Sequence, residues 1–308
     1  GKRGSLWLQS VLYDFEELEY RIENLRFRGV KGTTGTQASF KELFNNDFEK
    51  VKELDNKVCE KMGFSKKQTV SGQTYDRKTD LQILNLLGNI AQSAHKFTND
   101  FRLLQHLKEL EEPFAKNQIG SSAMAYKRNP MRSERISSIA KFVMSLTSNG
   151  SQVASTQWFE RTLDDSANKR LAIPQAFLGV DAILLIWLNI LDGVVVYPKV
   201  IESNIMKELP FMVTENIIME SVKKGMDRQD VHEIIRELSM EETKSIKLEG
   251  KPNNLIDRII KDGRLSLKQE DLKNILIPSE YIGFASQQTM DFIENDINPI
   301  LEKYKDLI

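Results

Sequence analysis

Leu84, Leu87, Ala91, Ala94, Thr98 and Phe101 recur at steps of three and four residues. That spacing places all six on one face of an α-helix and on no face of a strand. It predicts one long helix over residues 80–111, ended at or just before Pro113. Ile136, Ile139, Ala140 and Val143 repeat the pattern and predict a second helix running to about Asn149. A third, over residues 173–191, stops at Asp192-Gly193. Alternating apolar and polar runs are few and short, so no large sheet is expected. Long helices joined by short polar loops build an elongated bundle. Tyr197-Pro198 breaks the pattern, and shorter helices follow, one of them with Asp227 as N-cap. Turn clusters stand at residues 250–254 and 277–279. The predicted fold is therefore all-α: a long central helical bundle over residues 1–196 and a smaller C-terminal helical domain over residues 197–308.

Composition narrows the function classes. The net charge is −1 over 308 residues, which gives nucleic acid no bulk electrostatic attraction. One cysteine, Cys59, makes no internal disulfide and fits a reducing, cytoplasmic setting. Three histidines and one cysteine offer no zinc-ligand spacing, so no metal or cofactor is expected. His95, His106 and His232 lie in helical patterns and read as structural. Residues 176–191 are strongly apolar, but Gly179, Asp181 and Asn189 interrupt them. The run falls short of the ~20 residues a membrane span needs, so a buried bundle helix is expected there. Leu6, Leu8, Val11, Leu12, Phe15 and Leu18 already carry a helical stripe, and the chain starts at Gly1. An upstream portion is expected to precede it.

The chemistry concentrates in residues 120–135, GSSAMAYKRNPMRSER. Ser, Lys and Asn on a glycine-led loop suit deprotonation of a carbon beside a carboxylate. The serine oxygen is the candidate base, Lys127 supplies positive charge and Asn129 supplies amide donors. Asn129-Pro130 reads as an N-cap followed by proline at the first helical position. The loop would then end at a helix's positive pole, where developing negative charge is stabilised. Within the catalytic loop, taken as 114–130, residues 114–125 are polar, carry Gly120 and lie between two firm helices, which suits a closing lid.

Three further stretches stand out. Residues 29–40, GVKGTTGTQASF, hold three glycines and several hydroxyls, a loop able to bring N–H groups to an anion. Residues 71–78, SGQTYDRK, present Gln73, which can both donate and accept. Residues 157–170, QWFERTLDDSANKR, present Arg161 and Arg170, forked cations suited to carboxylate or phosphate, with the Ser166 hydroxyl between them.

The string at 120–135 resembles the catalytic loop of the fumarase/aspartase superfamily, in the wording of its adenylosuccinate lyase branch. The segments around Gln73 and at 157–170 resemble the same family, and the likeness runs the length of the chain. It implies a lyase that eliminates fumarate from adenylosuccinate to give AMP, and from the succinyl-carboxamide imidazole ribotide of purine synthesis. On that resemblance Ser121, rather than Ser122, is the base. Lys127 and Asn129 stabilise the doubly charged carboxylate, Arg135 and Gln73 grip the succinyl and base portions, and Arg161, Ser166 and Arg170 hold the phosphate. The family's general-acid histidine falls in a segment upstream of Gly1. Ala125 stands where the family usually has proline, which enlarges the loop's unfolded ensemble. The resemblance and the two apolar stripes together imply a homotetramer with shared sites. The alternatives are a superfamily lyase acting on argininosuccinate or aspartate, and a non-catalytic helical scaffold.

Overall fold

The computed structural model describes residues 1–114, 124, 126–265 and 267–307. The chain divides into two compact units, one from Arg3 to Val195 and one dominated by Val196 onward.

Three long helices form the first unit's core: α4 (Lys78–His106), α5 (Met131–Thr156) and α6 (Asp164–Asp192). The preceding helices are α1 (Lys2–Asn24), α2 (Ala38–Leu43) and α3 (Phe48–Lys61). The stripe read from the sequence faces inward, with Leu84, Leu87, Ala91, Ala94, Phe97 and Phe101 buried against Ile136, Ala140 and Val143 of α5. Helices α4 and α5 run antiparallel and very close. A Cβ on Gly150 would stand 2.7 Å from the Leu81 Cα, so glycine is what lets these two backbones meet. The hydroxyls of Thr98 and Ser137, both buried, satisfy each other at 2.8 Å across the same interface. Trp7 of α1 meets Phe97 edge-on at 5.0 Å and donates to Asp100 at 2.8 Å.

Helix α4 stops at His106, earlier than expected. Lys108 takes a positive φ of 61°, and the chain leaves as strand β1 (Leu110–Glu111), which pairs with β2 (Val195–Val196). Helix α6 begins nine residues before its apolar pattern does and continues through Pro174. It was expected at the centre of a bundle. Only one face meets that expectation: Ala172, Ala176, Val180, Ile183, Trp187 and Ile190 are buried, while Leu171, Leu178, Leu185 and Leu188 are exposed. Among the described residues α6 is the one helix long and apolar enough to cross a membrane, and its buried face belongs to the bundle core.

The second unit is also helical: α7 (Pro198–Met212), α8 (Thr214–Lys223), α9 (Arg228–Glu249), α10 (Leu255–Asp262), α11 (Gln269–Lys273), α12 (Ala285–Phe292) and α13 (Asn298–Lys303). Its core gathers Leu209, Val213, Ile217, Val231, Ile235 and Leu255. Asp227 caps α9 by accepting from the Gln229 and Asp230 N–H groups at 2.8 and 3.2 Å. Gly250, at φ 67°, ends that helix in the left-handed region.

Candidate active site

Three of the segments singled out in the sequence come together beside the start of α4. The loop at 29–37 folds back on residues 71–73. Gly35 has a φ of 85°, and a Cβ there would stand 1.8 Å from the Ser71 carbonyl oxygen. The Arg28 guanidinium ties both segments by donating to the carbonyls of Gly32 and Gly72 at 2.7 and 2.8 Å. Gly72 in turn lies flat on residue 160, where a Cβ would stand 2.7 Å from the Glu160 oxygen. The Gln73 N–H donates to that same oxygen, on the residue before Arg161, at 3.2 Å, and the Gln73 side chain is exposed. The Arg161 Nε is buried without a protein partner. One turn apart on α6, Arg170 donates to the Ser166 hydroxyl.

Beneath this cluster lies a charged network that sequence reasoning missed. Arg77 is buried, its guanidinium 2.6 Å from Asp165, 3.8 Å from Asp80 and 4.5 Å from the Tyr75 ring centre. The Tyr75 hydroxyl donates to Asp80 at 2.8 Å. Burial, then the bond to Asp80, pushes the Tyr75 hydroxyl up to about 12, so it remains a donor. Lys169 lies 5.4 Å from the same ring, and burial followed by the charge of Arg77 holds its ammonium below the usual lysine value. The Arg77–Asp165 pair docks the first turn of α6 on the start of α4. A buried pair of this kind specifies register, because any shift leaves a charge unpaired. The sequence signal was the pair of acids, Asp164-Asp165, inside the 157–170 segment itself.

The other predicted residues stand elsewhere. Lys127, Asn129 and Arg135 are exposed around the start of α5. The N-cap there is Pro130, not Asn129, and it makes no side-chain cap. Glu112 performs that function from twenty residues upstream: its buried carboxylate accepts from the Arg132 and Ser133 N–H groups at 3.0 and 2.7 Å. The helix's positive pole is thus already neutralised by Glu112, which corrects the expectation that it would face a ligand. The Arg132 guanidinium donates to the Pro113 carbonyl at 2.6 Å, and Arg128 reaches Glu111 at 2.9 Å and the Phe114 ring at 4.7 Å. These contacts join both roots of the loop. Residues 115–123 and 125 lie outside the described residues, and with them Gly120, Ser121, Ser122 and Ala125.

Glu112→Ala strips the part-buried Arg132 N–H and the buried Ser133 N–H of their acceptor at once. The expected cost is ~1–3 kcal/mol of stability. Glu112→Gln, which keeps one acceptor oxygen, should lose less. Thermal melting of the two variants checks this, and an unchanged midpoint in Glu112→Ala would remove Glu112 from the capping role.

The two clusters occupy opposite ends of the bundle. Gly150 of α5 meets Leu81 near the start of α4, Ser137 meets Thr98, and Gln105 near the end of α4 donates to the Arg128 carbonyl. At 1.5 Å per residue the two ends are roughly 35–40 Å apart. Gln73, Arg161, Ser166 and Arg170 are together; Lys127, Asn129 and Arg135 are together; one chain does not unite the two sets. Among the described residues no group of three or more His, Cys, Asp or Glu side chains is placed to hold a metal ion.

Comparison with known proteins gives the family of the chain. Residues 3–145 match the family described as "Lyase", and residues 210–292 match "Adenylosuccinate lyase C-terminus". The chain is 52% identical over 305 residues to the adenylosuccinate lyase of Saccharomyces cerevisiae, covering 99% of this chain and 63% of that protein. With the adenylosuccinate lyase of Schizosaccharomyces pombe it shares 49% identity over 308 residues, 100% of this chain and 64% of the relative. The chain thus spans just under two thirds of the length of these relatives. The fold is similar to that of 3-carboxy-cis,cis-muconate lactonizing enzyme from Pseudomonas putida, with a TM-score of 0.76 at 20% identity over 96% of this chain and 62% of that one. It is also similar to that of fumarate lyase from Mesorhizobium sp. BNC1, with a TM-score of 0.74 at 18% identity over 96% of this chain and 63% of that one. The chain belongs to the adenylosuccinate lyase family of the fumarase/aspartase superfamily.

Proposed function

We propose that the protein carrying this chain eliminates fumarate from adenylosuccinate to give AMP, and from the succinyl-carboxamide imidazole ribotide, in cytoplasmic purine biosynthesis. The observation that carries this reading is the joining of Gln73 to the Arg161, Ser166 and Arg170 segment through the Gln73 N–H and Glu160 oxygen. Two guanidinium groups and a hydroxyl beside an exposed amide suit a substrate with a phosphate at one end and a hydrogen-bonding base at the other. A lyase for small dicarboxylates has less use for the extra cations.

Ser121 removes the proton from the carbon beside a carboxylate. The electron pair left behind enters that carboxylate, whose second negative charge Lys127 and Asn129 stabilise. The pair then forms the carbon–carbon double bond of fumarate as the carbon–nitrogen bond breaks. The leaving nitrogen takes a proton from a general acid, which in this family is a histidine. Arg135 holds the succinyl end.

The reading includes a homotetramer with sites shared between chains. Its support is the separation of the two residue sets and the exposed face of Leu171, Leu178, Leu185 and Leu188 on α6, which a second copy would cover.

Arg161→Ala tests the assignment. AMP affinity should fall about 10- to 200-fold, since a charge-assisted hydrogen bond contributes ~1.5–3 kcal/mol, while fumarate affinity stays unchanged. Calorimetric titration separates the two. Loss confined to fumarate would move Arg161 to the dicarboxylate end. Tight AMP binding by wild type without release of fumarate from adenylosuccinate would favour the scaffold reading.

A further inference from the structure

Asp55, in the middle of α3, has no part in any motif of the sequence, yet it is one of the most buried acids of the chain, at 1% exposure. Its carboxylate accepts from three directions. Oδ1 takes the Val30 N–H at 2.6 Å, and Oδ2 takes the ammonium groups of Lys31 and Lys67 at 2.7 and 2.8 Å. Lys31 is itself buried, at 5% exposure. Burial drives the carboxyl up, but the bonds from Lys31, Lys67 and Val30 outweigh it and hold the group below the usual carboxylate range.

These contacts fall on the first residues of the glycine–threonine loop. Gly29 has a φ of 92°, and a Cβ there would stand 2.7 Å from the Asp55 Oδ1. Only glycine tolerates that backbone so close to a carboxylate. The loop's far end is tied to the same point: the Gln37 amide donates to the Val30 carbonyl at 2.8 Å, and the Gln37 N–H to the Lys31 carbonyl at 2.9 Å. Residues 30 and 31 are therefore the root of the loop, and Asp55 holds that root through one N–H and one side chain. From there the loop bears on Ser71 through Gly35, and the 71–73 segment bears on Glu160 through Gly72 and the Gln73 N–H. Lys67 adds a second tie, since its neighbour Lys66 accepts from the Phe27 N–H at 2.9 Å and Gln68 donates to the Phe27 carbonyl at 2.8 Å.

We propose that Asp55 is a positioning residue for substrate binding: from outside the site it fixes the 29–37 loop, and through it the height of Gln73 against Arg161. Asp55 touches no substrate. It acts on the end of the site that holds the nucleotide, which interacts alike with substrate, transition state and product, so its loss appears in affinity rather than in the chemical step. This inference rests on the substrate reading given above for the same site.

The test uses Asp55→Asn in the full-length protein, assayed with adenylosuccinate and titrated with AMP. The KM for adenylosuccinate and the AMP Kd should both rise by at least about tenfold, with kcat within about threefold. A folded Asp55→Asn with unchanged KM overturns the proposal, whatever its melting temperature, because a purely structural ion pair moves stability alone. A fall in kcat at constant KM overturns it equally. Should Asp55→Asn not fold, Gln37→Ala decides: it loosens the same root from the loop's other end, and KM and Kd should rise by about threefold or more. Unchanged values in that variant overturn the clamp. Absence of adenylosuccinate turnover in wild type would instead refute the reaction, and the AMP titration would still judge Asp55.

Discussion

Ser121→Ala should abolish turnover of adenylosuccinate while leaving affinity for substrate and AMP within about tenfold. A serine hydroxyl is a weak base at neutral pH. It removes a proton only when its oxyanion is met by donors and positive charge, and Lys127 is the cation six residues away in the same loop. In the ground state the hydroxyl contributes little to holding the substrate. On the proposed assignment that work falls to Gln73, Arg161, Ser166 and Arg170. Loss of a positioned base typically costs ~10²–10⁴ in rate, which takes a slow elimination below detection. Ser122→Ala should retain measurable activity. Following release of fumarate by absorbance, alongside AMP titration of each variant, distinguishes the cases. Equal loss in both would mean that loop shape matters more than either hydroxyl, and full activity in Ser121→Ala would remove the base altogether.

What could be read from the sequence follows from which forces are local. The α4 stripe and the α5 stripe are pure periodicity, and both helices carry their apolar residues inward as expected. The Asp227 cap is equally local, since the side chain bonds N–H groups two and three residues on. The failures are all long-range. The start of α6 shows no apolar period because what it buries is Asp165, made tolerable only by Arg77 from another segment. Local preference makes Asn129 a cap, but Glu112 arrives from the segment just after β1 and fills the role. Asp55 was invisible for the same reason: a lone acid in an amphipathic helix reads as solvent-facing until the fold sets two lysines and an N–H against it. Most candidate site residues were legible only as members of a string that resembles a family. No spacing rule could have said that residues 126–135 and the string at 157–170 stand at opposite ends of one bundle.

That separation leads to the sharpest expectation for assembly. Arg135 and Arg161 are far enough apart along α4 and α5 that a substrate of nucleotide size cannot bridge them within one chain. If both contact the same substrate, they come from different chains. Arg135→Ala and Arg161→Ala should each be nearly inactive at adenylosuccinate concentrations well below their raised KM when purified separately. Mixed in equal amounts, unfolded and refolded together, they should regain activity. A site built from one chain's loop end and another chain's arginine end receives two intact contributions in about one case in four when chains assemble at random. Recovery toward a quarter of the wild-type rate is therefore expected, with KM restored in the recovered fraction. Arg135 is exposed and Arg161 is half-buried with no hydrogen-bond partner on its Nε, so neither substitution is expected to prevent folding. Light scattering on each variant and on the mixture checks that all have the same oligomeric state. Mixtures that stay as inactive as their parts, in assemblies shown to contain both variants, would place both arginines in one chain's site or exclude one of them from the site. A stable monomer at micromolar concentration would refute shared sites directly. Both arginines acting in one chain's site would require the chain to close about 30 Å by rearranging its long helices, against the close α4–α5 contact at Gly150 and the buried Thr98–Ser137 bond.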